Sequence, residues 1–84
     1  MITFNQHPVA WAMLLYELSD AHEHLGALVN QMAESGGIDI EDYQIQLGHV
    51  FAHLNRAWNC KDDPDFDTSG KRVSHYPEDL RPVG

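Results

Sequence analysis

The chain has 84 residues, 43% hydrophobic and 21% charged, with a net charge of −8; this allows one small domain and argues against a membrane protein, because no apolar run approaches the roughly 20 residues that span a bilayer. Direct DNA or RNA binding is disfavoured too, since residues 1 to 60 hold Glu17, Asp20, Glu23, Glu34, Asp39, Glu41 and Asp42 against one cation, Arg56, and nucleic-acid affinity rests on Lys and Arg neutralising phosphates. A surface of this sign keeps a small protein dispersed or complements a protein partner with a basic surface.

Met1 to Gln6 is mixed, with Phe4 its one large apolar group, and leads into the first helix. From Pro8 to Ser35 runs the longest periodic pattern in the chain. Trp11, Leu14, Leu18, Ala21, Leu25, Leu28 and Met32 alternate spacings of three and four, which places them on one stripe of an α-helix. Proline suits the first turn, where its missing N–H is no loss. Ser35-Gly36-Gly37 ends the helix, because glycine takes the left-handed conformation that closes a C-terminus. No Lys or Arg precedes the apolar run from Val9 to Tyr16 and acidic residues follow it, so it does not read as a signal peptide.

A second helix is expected over residues 39–60. Asp39 is its N-cap, with Asp42 three residues on and Ile38 and Tyr43 set as a hydrophobic staple across the cap. Ile40, Tyr43, Leu47, Val50, Leu54 and Ala57 repeat the alternation, and Phe51 and Trp58 widen the stripe. So short a connection folds the helices back on each other as an antiparallel hairpin, facing positions having numbers that sum to about 74.

Each stripe is wider than a two-helix seam requires. Leu15 and Val29 flank the first helix, where Ala12, Ser19, Gly26 and Ala33 also form a column of small residues. Gly26 and Gly48 fall level with each other, and a glycine inside a helix costs roughly 1 kcal/mol against alanine, so both read as places of close backbone approach. The expected fold class is therefore all-α: an antiparallel two-helix hairpin that dimerises into a four-helix bundle, with Trp11, Leu15, Leu18, Leu25, Val29, Phe51 and Trp58 at the homodimer interface. From Lys61 to Gly84 the prolines and the lack of apolar periodicity give an irregular tail, extended or partly disordered. Phe66, Val73, Tyr76 and Leu80 are its candidate anchors, and it competes with a second copy to cover the apolar patch.

Little in the chain reads as catalytic. It has no glycine-rich phosphate cradle and no serine in a strand-turn-helix setting, and Cys60 has no obvious base beside it, so it reads as an inert thiol and the chain as no enzyme. One cysteine forms no intrachain disulfide, which fits the cytoplasm. The histidines are the richest chemistry. The pairing rule sets His22 and His24 between His49 and His53, and the last two stand at i and i+4, where imidazoles on one helix face share a Zn²⁺. Since His22 and His24 point to opposite flanks, at most one of them can join the pair; the metal candidates are His49, His53 and His24. Neither helix holds the Glu-x-x-His pair of di-iron bundles. Asp63, Asp65 and Asp67 have the alternation of a calcium loop, but Thr68 replaces its glycine and Ser74 its closing glutamate. The functional expectation is a small acidic, non-catalytic interaction or regulatory module acting as a homodimer; the alternative is a metal-binding helical bundle built on His49 and His53, with zinc or another divalent metal as cofactor.

Overall fold

Two helices, α1 (Pro8–Ser35) and α2 (Ile40–Asn59), pack against each other as an antiparallel hairpin, with no strand among the described residues. The computed structural model describes residues 2–70 and 72–84; Met1 and Lys71, which belong to the expected leader and tail, lie outside the described residues. Pro8 occupies the first turn of α1, and the Trp11 N–H donates to the carbonyl of His7. At the other end Gly36 takes φ 72° and donates its N–H to Met32 O at 3.0 Å, the left-handed closure for which glycine carries no Cβ penalty.

Asp39 stands at the N-cap of α2, but its side chain makes no capping bond. The acidic work at this end is done by Asp42, whose carboxylate accepts from Gln46 Nε2 at 3.1 Å and from Gln31 Nε2 at 3.2 Å. These two hydrogen bonds hold the Asp42 carboxyl below its usual range, that from Gln46 having the larger effect. They also tie the last turns of α1 to the first turns of α2.

Ala21 and Leu28 of α1, and Val50, His53 and Ala57 of α2, are buried where the two helices pack together. The expected α1 stripe therefore does not serve as the α2 contact as a whole: Leu18, Leu25 and Met32 stay exposed. Relative to that stripe, α1 is turned about 40° around its axis, because the helices close on small alanines and on a polar contact between Glu17 and His53. Gly26 and Gly48 likewise do not mark a close approach within the hairpin, since a Cβ added at either would meet nothing within 4 Å.

The open end of the hairpin is sealed by the tail. Phe66, 3% exposed, sits with Ala10 and Cys60, and Leu14 and Val73 pack against this cluster. Burial, together with Asp63, Glu17 and Asp67, pushes the Cys60 thiol up, which suits an inert side chain. Phe66 has φ 47°, a left-handed value that a residue with a Cβ tolerates only when its surroundings repay the strain. The preceding turn is pinned locally: Asp63 accepts the N–H of Asp65 at 2.9 Å and of Asp67 at 3.1 Å. The alternating aspartates thus serve a turn. Further on, Asn55 Nδ2 donates to Ser74 O, and Asn59 Nδ2 to Val73 O and His75 O, at 2.8 to 2.9 Å. Trp58 Nε1 donates to Asp79 at 2.8 Å, and the Phe51 and Tyr76 rings lie 5.4 Å apart. Among the described residues no helix is long and apolar enough to cross a membrane.

Candidate functional site

A helix advances 100° per residue, and in an antiparallel pair the sense of rotation reverses, so residues displaced the same way from the contact line of each helix emerge on the same side of the hairpin. The two sides differ in chemistry. On one, α1 contributes Glu17, Asp20, His24 and Gln31, and α2 contributes Asp42, Gln46, His49, His53 and Arg56. On the other, α1 presents Trp11, Leu15, Leu18, His22, Leu25 and Val29, and α2 presents Ile40, Tyr43, Leu47, Phe51, Leu54 and Trp58.

At the middle of the polar side lie three imidazoles. His49 and His53 are one turn apart on α2, and His24 reaches them from α1; their ring centroids are 4.3 to 5.5 Å apart. The three offer nitrogen atoms that all lie within 4.8 Å of one another, so they are described residues able to hold a metal ion together. His22 is exposed on the apolar side and takes no part, which resolves the choice between His22 and His24 by helix phase.

His53 is the anchor of the group. It is 8% exposed, its Nδ1 lies 2.6 Å from Glu17 Oε2, and its Nε2 lies 3.2 Å from His49 Nε2. Arg56 completes the support: Nε donates to Glu17 Oε1 at 2.9 Å, while Nη2 comes within 3.0 Å of His53 Nδ1. One nitrogen cannot both donate to Glu17 and accept from Arg56. The shorter contact, to an anionic carboxylate, decides the tautomer, so Nδ1 carries the proton and Nε2 presents its lone pair toward His49.

The local charges agree with this arrangement. Burial acts to raise the Glu17 carboxyl, but hydrogen bonds from Arg56 and His53 and the Arg56 charge outweigh it and hold the group below its usual value. His49 is held below the usual imidazole value, first by partial desolvation and then by the neighbouring His24 and His53, with Asp20 opposing. Its neutral form, the one with a free lone pair, is thereby favoured. Register alone marks the support that residue type did not: 17 and 56 sum to 73, as do 24 and 49.

The apolar side has a different character. Leu15 is 51% exposed and Val29 56%, and Leu18, Leu25, Phe51 and Leu54 are also exposed, while Trp11 and Trp58 are half-buried. Ile40, Tyr43, Leu47, Phe51 and Tyr76 line a shallow groove along it. None of the residues that α1 and α2 present there is acidic, Lys or Arg. Comparison with known proteins places the chain beside none of them: no family model matches it, and no curated protein or solved structure is significantly similar to it.

Proposed function

We propose that the chain acts as a homodimer, two hairpins joining through their apolar sides into a four-helix bundle, and serves as a non-catalytic interaction module that offers its anionic outer surface to a protein partner with a basic face. The observation that carries this reading is an apolar side on which Leu15, Leu18, Leu25, Val29 and Leu54 stand exposed, on a chain whose total exposed surface is large for its size. The structure exposes 6600 Å², against about 5,000 Å² for a compact chain of this size. The surplus, about 1,600 Å², is twice the roughly 800 Å² that one partner contributes to an interface of standard size.

Charge favours a second copy as the occupant. A chain of net charge −8 repels its own kind, but the helices present no carboxylate on the apolar side, where Asp79 of the tail, held by Trp58, is the acidic group at one end. Glu23, Glu34 and Glu41 remain outward, available to a cationic partner.

Light scattering over a tenfold concentration range tests the reading, with twice the chain mass as the expected result. Leu25 is exposed on the single hairpin, so Leu25→Glu leaves the helices intact and sets a carboxylate into the interface from each copy. Each leucine withdrawn from burial is worth about 1.5 to 3 kcal/mol, and the variant is expected to run as a helical monomer. A wild-type monomer at every concentration would sink the bundle.

A further inference from the structure

We propose that His24, His49 and His53 form a three-imidazole site for one divalent transition-metal ion of the zinc class, bridging α1 and α2, with Glu17 as the positioning residue that aims His53. This goes beyond association of the hairpins, because the site lies on the polar side and takes all three ligands from one chain.

The geometry is close to that of a metal centre. Imidazole nitrogens bind zinc at about 2.0 to 2.1 Å, and tetrahedral angles then set neighbouring ligand atoms about 3.4 Å apart. His49 Nε2 and His53 Nε2 already lie 3.2 Å apart. The whole set spans no more than 4.8 Å, so His24 has at most about 1.4 Å to close. Its ring is exposed and free to make that movement. In the opposite direction the backbone needs no adjustment, because a pair at i and i+4 on one helix face is held at the right separation by the helix itself.

The surroundings supply what a ligand set alone lacks. A metal-ligating histidine characteristically donates its other ring N–H to a carboxylate, which fixes the tautomer and makes the free nitrogen a better donor. Glu17 stands in that position toward His53, 2.6 Å from Nδ1, and is itself held by Arg56. Without a cation, two neutral imidazole nitrogens 3.2 Å apart satisfy each other only when one carries a proton aimed at the other; with one, both lone pairs converge on the same charge. Asp20 and Glu17 make the site net anionic against the single charge of Arg56, which favours a divalent guest.

The ligand type selects the guest. Three imidazoles suit Zn²⁺, Co²⁺, Ni²⁺ and Cu²⁺ and disfavour Mg²⁺ and Ca²⁺, which take oxygen ligands. Three protein ligands also leave a fourth position for water.

The test is a titration of the full chain, freed of metal by a chelator, with Zn²⁺ by calorimetry and with Co²⁺ by visible absorption. The expected result is one ion per chain, with the intense visible bands of four-coordinate Co²⁺. His24→Ala changes an exposed side chain and keeps the fold, and it should abolish the bands. Glu17→Gln should weaken binding roughly 10- to 100-fold with the stoichiometry unchanged. His22→Ala, on the opposite side, should leave binding as it was. No uptake by the wild type overturns the proposal, as does uptake that survives His24→Ala or that His22→Ala removes equally.

Discussion

Replacing Phe66 probes the joint between the helix ends and the tail, and its outcome can be worked from two observations. The ring is 3% exposed among Ala10 and Cys60, and the backbone at this position has φ 47°. Phe→Ala in a core costs about 3 to 5 kcal/mol. The lower end applies, because Leu14 and Val73 beside the ring are only partly buried and can settle into the space. A loss of about 3 kcal/mol is a large part of the total for a domain of this size, which at about 0.05 to 0.15 kcal/mol per residue amounts to roughly 4 to 13 kcal/mol. It should lower Tm by roughly 12 to 24 °C. Alanine keeps the left-handed strain, whereas glycine removes about 1 kcal/mol of it, so Phe66→Gly should be the milder change despite deleting more atoms. Urea unfolding followed by circular dichroism, at one fixed protein concentration because self-association adds to apparent stability, measures both. An alanine variant within about 1 kcal/mol of wild type, or a glycine variant less stable than the alanine one, would refute the reasoning.

Acidification should destabilise the chain in two stages in the presence of a chelator. His49 is held below its ordinary 6.5, so the unfolded chain takes up that proton first; its contribution is whole above pH 6.5 and is lost as pH falls through the folded value. Glu17, held below 4.5, contributes above that pH and is lost lower down by the same sign. A melting temperature that rises between about pH 7 and 5.5 contradicts the first stage. Among the glycines, Gly36→Ala should cost about 1 kcal/mol or more at its positive φ, while Gly26→Ala and Gly48→Ala, with open space around the new Cβ, should each add about 0.5 to 1 kcal/mol. A loss of stability at Gly48 would mean that something packs against it.

The hairpin is legible in the residues because the period of the apolar positions and the glycine stop are local properties. Side-chain roles that depend on a partner far along the chain are not. Asp39 has the residue type and place of a cap, yet its side chain makes no capping bond, while Asp42 accepts from Gln31, a residue of the other helix that no local rule brings to it. The stripe of α1 shows which residues avoid water without showing which neighbour each one uses, and so the 40° turn that leaves Leu18 and Leu25 uncovered is invisible until α2 is in place. The imidazole group stands between these cases: register brings His24, His49 and His53 to one level, but Glu17 and His53, which touch, stand one helical turn out of that register. Phe66 is legible as an anchor, a large apolar group in a polar segment, but with no period around it nothing in the sequence shows that it packs with Ala10 and Cys60.

Asn55 and Asn59, one turn apart on α2, hold the carbonyls of Val73, Ser74 and His75 by their side-chain amides. Such a clasp grips main chain, which every residue possesses alike. Natural variation at Ser74 and His75 can therefore run freely without loosening the tail, while the two asparagines have almost no latitude. Aspartate, differing from asparagine by one atom, would turn each donor into an oxygen facing an oxygen. In a lineage of such chains, the bond between tail and helix would be recorded on the helix alone.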